Sequence, residues 1–238
     1  VSSTPTRTRT RTSAAPLVVL VTDPRYDLAT TCDALRDAAI ALGGHRVLVQ
    51  VRDKEADAAS LLATAHALRA ATREVGALLV INGALATAKA VGADGIHLPG
   101  RRSAVELASA RAAAHEALGS AAVVTAAAHD DEDIRAATLA RLSAVLVSPV
   151  FPTPAKGPAR GLDALRSARA IIDAARHDPP LRVVALGGIA AANAAACMEA
   201  GADGVAAIRA LHEAVERTEL LRALDAIGAP VAGWRDEC

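Results

Sequence analysis

The chain has 238 residues, 52% hydrophobic and 22% charged, which is too apolar for a disordered chain and long enough to bury the core of one large domain. Lys plus Arg and Asp plus Glu both number 26, so no net field gathers nucleic acid or anionic lipid, and one Phe, one Tyr and one Trp build no stacking platform for single strands. Three cysteines (Cys32, Cys197 and Cys238) without a C-x-x-C pair argue against a disulfide framework or a cysteine-based zinc site and fit a reducing cytoplasm. The longest apolar stretch, Val183 to Met198, is broken by Gly187, Gly188 and Asn193, so no membrane span is expected.

In chain order, residues 1–16 alternate Thr and Arg from Thr6 to Thr12 and read as a flexible basic tail, with a partner-touching arm as the alternative. From Leu17 onward, short β-branched or Leu-rich runs alternate with longer Ala-rich segments of helical composition. Eight strands are predicted, beginning near Leu17, Arg46, Ala77, Asp94, Ala121, Ser143, Arg182 and Asp203. That count specifies a single (β/α)₈ barrel over residues 17–228, followed by a C-terminal tail over 229–238; an open doubly wound sheet is the alternative. Two near copies, Gly92-Ala93-Asp94-Gly95-Ile96 and Gly201-Ala202-Asp203-Gly204-Val205, lead into the fourth and eighth strands and favour closure. In the second strand Val47, Val49 and Val51 point one way and Leu48, Gln50 and Arg52 the other, a polar row suited either to a barrel mouth or to an interior salt-bridge layer.

Active sites of such barrels lie at the carboxyl ends of the strands. The polar residues just past each run are Asp23, Gln50, Arg52, Lys54, Asn82, His97, His129, the loop from Ser148 to Lys156 with Thr153, the pair Gly187 and Gly188, and Ile208-Arg209. Arg52, Lys54 and Lys156 concentrate cations at one rim of a neutral chain, which points to an anionic, phosphorylated ligand. Gly187-Gly188 lets backbone N–H groups approach a phosphate, or simply makes a tight turn. His129 is the side-chain type suited to moving a proton near neutral pH; a cap for the helix opening Asp130-Asp131-Glu132-Asp133 is its structural alternative.

The segments Val49-Gln50-Val51-Arg52-Asp53-Lys54, Ile81-Asn82, Val91 to Leu98, Ser148-Pro149-Val150-Phe151-Pro152-Thr153 with Lys156, Leu186 to Ile189, and Gly201 to Val205 together resemble the thiamine phosphate synthase superfamily, from about Leu17 to Leu211. The resemblance implies a barrel that binds a phosphorylated thiazole or thiamine phosphate, with self-association. It implies one of two reactions. The synthase branch joins a pyrimidine pyrophosphate to thiazole phosphate through a pyrimidine carbocation, with Mg²⁺; the thiazole tautomerase branch moves a proton and needs no metal.

Several positions depart from the synthase pattern. The resemblance places Mg²⁺ carboxylates after the third-strand Asn and after the fourth-strand His, where this chain has Gly83 and Arg102. A like charge at about 5 Å from such a cation costs on the order of 3 kcal/mol at an effective dielectric near 20. Two hydroxyl positions of the pattern read Ala127 and Ala155. Asn82-Gly83 and His97-Leu98-Pro99 resemble the tautomerase branch, whose acid/base His falls on His129. The leading expectation is therefore a cofactor-free tautomerase acting through His129, with substrate contacts from Gln50, Arg52, Lys54, Asn82, Thr153, Lys156, Gly187, Gly188, Ile208 and Arg209. A synthase, the one reading that calls for Mg²⁺, and a non-catalytic thiamine phosphate carrier are the alternatives.

Overall fold

A computed structural model describes residues 17–153, 157–177, 180–227 and 233–234. The expected basic tail, Lys156 and most of the expected C-terminal tail lie outside the described residues. The elements run β1 (Leu17–Val21), α1 (Leu28–Leu42), β2 (Val47–Val51), α2 (Ala58–Val75), β3 (Leu78–Asn82), α3 (Leu85–Val91), β4 (Gly95–Leu98), α4 (Ala104–Leu118), β5 (Val123–Ala128), α5 (Asp131–Leu139), β6 (Ala144–Val147), α6 (Gly161–Ala175), β7 (Arg182–Leu186), α7 (Ala191–Glu199), β8 (Gly204–Ala207), α8 (Arg209–His212) and α9 (Ala214–Ala226). Every strand pairs in parallel with its sequence neighbours and β8 pairs with β1, so the sheet closes in the order of the chain. The fold is a (β/α)₈ barrel, and each strand begins within two residues of its predicted start.

The alternation along β2 separates two cores. Val47, Val49 and Val51 pack outward with α1 and α2 residues such as Ala34, Leu35 and Leu68. Leu48 joins Leu17, Val19, Leu78, Val80, Val123, Leu146 and Val184 in the barrel interior. Nearly without aromatics, the chain closes the outer layer with alanine: α1 to α7 each seat at least one fully buried alanine, among them Ala38, Ala65, Ala88, Ala114, Ala137, Ala168 and Ala194. Small side chains let the helices approach the sheet closely enough to remove the apolar strand faces from water.

The repeated motif builds the floor of the barrel, at the amino ends of the strands. Asp94, just before β4, accepts the Leu79 N–H of β3 at 2.8 Å and the Arg69 guanidinium of α2 at 2.5 Å. Four strands further on, Asp203 accepts the Val183 N–H of β7 at 2.8 Å and the Arg169 guanidinium of α6. The glycine after each Asp has a separate cause: a Cβ on Gly95 would lie 1.8 Å from the Val123 carbonyl oxygen and one on Gly204 2.2 Å from that of Leu17. The next strand's backbone occupies the space of a side chain. Trp234, within the stretch expected to be a tail, also belongs to the floor. Its backbone N–H donates to the His45 carbonyl and its indole N–H to the Arg46 carbonyl, both at 3.0 Å, and its ring joins the interior core.

At the opposite end, Asp27, Asp57, Ser103 and Asp130 cap α1, α2, α4 and α5 by accepting backbone N–H groups of the first turn. These caps start the helices soon after the strands end and leave the strand termini around an open mouth. Among the described residues, no helix is long and apolar enough to cross a membrane.

Candidate functional site

The inward row of β2 reaches this mouth. Gln50, 3% exposed, donates through Nε2 to Asn82 Oδ1 at the end of β3, 3.3 Å away. Beyond it, the Arg52 backbone is fixed in both directions by one hydroxyl: its N–H donates to Thr22 Oγ1 at 2.8 Å, and that hydroxyl donates to the Arg52 carbonyl at 3.1 Å. The half-buried guanidinium of Arg52 has no hydrogen bond or ion pair with any described residue. Lys54 follows on the exposed rim.

His97 lies one layer deeper, opposite Asn82 and Thr125 in the strand register. Its Nδ1 is 2.8 Å from Thr125 Oγ1. Burial, aided by the nearby charges of Arg52 and His129, pushes its pKa down to about 3, so the ring is neutral near pH 7.

His129 follows β5 and is exposed at the mouth. Its Nδ1 lies 3.1 Å from the Ser148 carbonyl, which only accepts, so Nδ1 carries the proton. Its Nε2 then keeps a lone pair in the neutral ring and bonds to no described residue. His129 also donates its backbone N–H to Asp133 Oδ2 at 2.7 Å. The acidic run is consequently more than a complement to the α5 dipole: Asp130 caps, Asp133 is buried against the strand ends, and Asp131 accepts from Arg160 at 3.2 Å and Ser167 at 2.7 Å.

The loops after β6 and β7 form one unit. Val150 donates to the Leu186 carbonyl at 2.9 Å and Phe151 to that of Gly187 at 3.0 Å. Gly187 and Gly188 have φ of +102° and +63°, and Cβ atoms there would lie 2.9 Å from Pro149 and 2.7 Å from Phe151 Cβ. The glycine pair is thus required by turn conformation and by loop-to-loop contact as well as by its place at the rim. Thr153 enters this unit with its hydroxyl buried and unpartnered. Lys156, the other cation expected here, is outside the described residues.

The last side of the mouth is built by the segment after β8. Ile208 precedes α8, but Arg209 is 70% exposed and paired with Glu216 of α9 at 3.2 Å. His212 is buried, stacked on Tyr26 with ring centroids 4.3 Å apart, and Tyr26 donates its hydroxyl to Glu213. This lock joins the β1–α1 loop to the segment after β8. Thr125 and the contact between Tyr26 and His212 escaped the sequence reading, and Asp133 was read only as one of the acids opening α5, because none stands directly after a strand in a recognisable motif.

The residues at the expected Mg²⁺ positions do not fit that ion, which wants hard oxygen ligands in octahedral order. Gly83 offers no side chain, and Arg102 is an exposed cation 4.0 Å from Glu106. Among the described residues, no three His, Cys, Asp or Glu side chains are grouped to hold a metal.

A closed parallel barrel with cationic and imidazole side chains at the carboxyl ends of its strands has the architecture of the (β/α)₈ enzymes. The family described as thiamine monophosphate synthase matches residues 18–211, and the chain belongs to it. It is 38% identical over 213 residues to a thiamine-phosphate synthase of Chromobacterium violaceum, covering 87% of this chain and 94% of that one. The thiamine-phosphate synthase of Methanoculleus marisnigri is also 38% identical, over 83% and 90% of the two chains. Among solved structures, the thiamine phosphate pyrophosphorylase of Pyrococcus furiosus aligns with a TM-score of 0.71 at 25% identity, covering 91% of this chain and 99% of that one.

Proposed function

We propose that the chain is a transferase that joins a pyrimidine pyrophosphate to a thiazole phosphate, the reaction the names of its relatives describe. The observation that carries this reading is their 38% identity across nine-tenths or more of their own length. This reverses the order of the sequence expectation, in which the tautomerase led. In the transfer, the bond between the pyrimidine methylene and the pyrophosphate oxygen breaks, the thiazole nitrogen lone pair takes the methylene carbon, and pyrophosphate leaves. The chain must stabilise an accumulating anion, and the unpaired Arg52 with Lys54 beside it supplies fixed positive charge. The Gln50–Asn82 amide pair presents polar groups beneath them to orient a heterocycle.

A second reading, thiazole tautomerisation, is favoured by one feature: His129 is held with Nδ1 protonated and Nε2 basic at the mouth, as a group that takes and returns a proton must be. One experiment separates the two. The purified chain is given both half-substrates, with Mg²⁺ and with chelator, and thiamine phosphate and pyrophosphate are measured. Their appearance in equal amounts is the expected result. No coupling, together with aromatisation of the thiazole tautomer that His129→Ala abolishes, would replace the transferase with the tautomerase; binding of thiamine phosphate without either turnover would leave a carrier.

A further inference from the structure

We propose that Asp133 is a positioning residue that holds the His129 imidazole and the β4–α4 turn in one arrangement at the mouth. Its carboxylate is 6% exposed and reaches two elements at once. Oδ2 accepts the His129 backbone N–H at 2.7 Å, and Oδ1 accepts the Arg101 backbone N–H. Its own N–H is taken by Asp130 at 2.9 Å, so the carboxylate is held in place from behind.

The β4–α4 turn is shaped to meet this clamp. Arg101 sits at φ +59°, a left-handed conformation unfavourable for a residue with a side chain, and the bond to Asp133 offsets part of that cost. Gly100 has no room for more than hydrogen: a Cβ would lie 2.9 Å from His129 Cδ2, 2.9 Å from the Ala127 carbonyl oxygen and 3.1 Å from Asp133 Oδ2. His129 is therefore fixed at its backbone N–H by Asp133, and its ring is bounded by the Ser148 carbonyl at Nδ1 and by Gly100 along its Cδ2 edge. What remains unbound is Nε2. The turn that the family pattern assigns to metal binding serves here to set the direction of a histidine whose tautomer the Ser148 carbonyl fixes.

Asparagine at 133 keeps the shape but offers one acceptor in place of two, so either the His129 or the Arg101 bond is lost. Gly100→Ala leaves the carboxylate intact and presses a methyl group on the ring edge. The test compares imidazole ¹⁵N shifts of His129 in the intact chain with those in Asp133→Asn, Asp133→Glu and Gly100→Ala. In the intact chain the signals should show the Nδ1–H tautomer. Asp133→Asn and Gly100→Ala should shift them toward a mixed pattern, with Asp133→Glu between. Under the tautomerase reading, in which His129 moves the proton, kcat for aromatisation should fall tenfold or more with KM within twofold. Unchanged His129 shifts in folded Asp133→Asn and Gly100→Ala would overturn the proposal, and Gly100→Ala decides it alone if Asp133→Asn does not fold. The kinetic arm rests on the functional reading above and the spectroscopic arm does not, so a chain inactive on every substrate defeats that reading while the nitrogen shifts still judge this one.

Discussion

The two ends of this barrel use charge in opposite ways. At the floor, Asp94 and Asp203 each accept from a strand N–H and from an arginine of a covering helix, and the arrangement recurs half a barrel away, although Arg69 Nε itself is buried without a partner. At the mouth nothing repeats: among the described residues, Arg52 has no ion-pair partner, the Thr153 hydroxyl has no partner and His129 keeps an unbonded ring nitrogen. A group whose hydrogen bonds are complete contributes to folding and has nothing left for a ligand; an incomplete one costs stability and is available for chemistry.

Substitutions at the floor should therefore move stability, and those at the mouth binding. The largest effect belongs to Gly95→Ala, which drives a methyl group into the Val123 carbonyl; it should cost more than about 4 kcal/mol and leave little soluble folded protein, as circular dichroism of the purified material would show. Asp94→Ala leaves the Arg69 guanidinium and the Leu79 N–H without this shared acceptor, and urea unfolding should record a loss of about 3 to 4 kcal/mol. Trp234→Ala opens a cavity at the floor and should cost about 3 kcal/mol, with ligand affinity unchanged once the protein is folded.

His97 sharpens the contrast through pH. Its folded pKa lies below its unfolded one, so as pH falls below about 6.5 the unfolded chain takes up a proton that the folded chain refuses, and stability declines. Between pH 6.5 and 5 this should amount to about 2 kcal/mol, and His97→Gln should flatten that part of the stability profile. A profile equally steep in the variant would assign the loss to other groups. The smallest stability change is expected for Arg52→Ala, within about 0.5 kcal/mol, while affinity for inorganic pyrophosphate in calorimetry should drop about tenfold. A floor substitution that lowered pyrophosphate affinity as much would erase the distinction between the ends.

Strand number, strand order and the inward row of β2 were readable from alternation and from the repeated Gly-Ala-Asp-Gly motif, because these depend on side-chain periodicity and on backbone space within a few residues. Most of the rim was readable for the same reason, since a residue just past a strand of a barrel has one place to go. Asp133 was read as one acid among four, because its burial depends on a turn of β4 about thirty positions earlier in the chain. Trp234 was taken for part of a tail, because its binding site is made of strand starts scattered over the whole length. Arg209, expected to contact the ligand, also meets Glu216 of α9, a pairing that depends on how the last helices pack.

The sequence alone therefore determined the closed barrel, its polar mouth and its family, all consequences of local pattern repeated in order. Only the tertiary structure decided which polar groups are already satisfied, which tautomer His129 carries and why residue 100 is glycine. Those outcomes depend on distances between segments remote along the chain, and a hydrogen bond or a steric contact exists only once the barrel has brought them within a few ångströms.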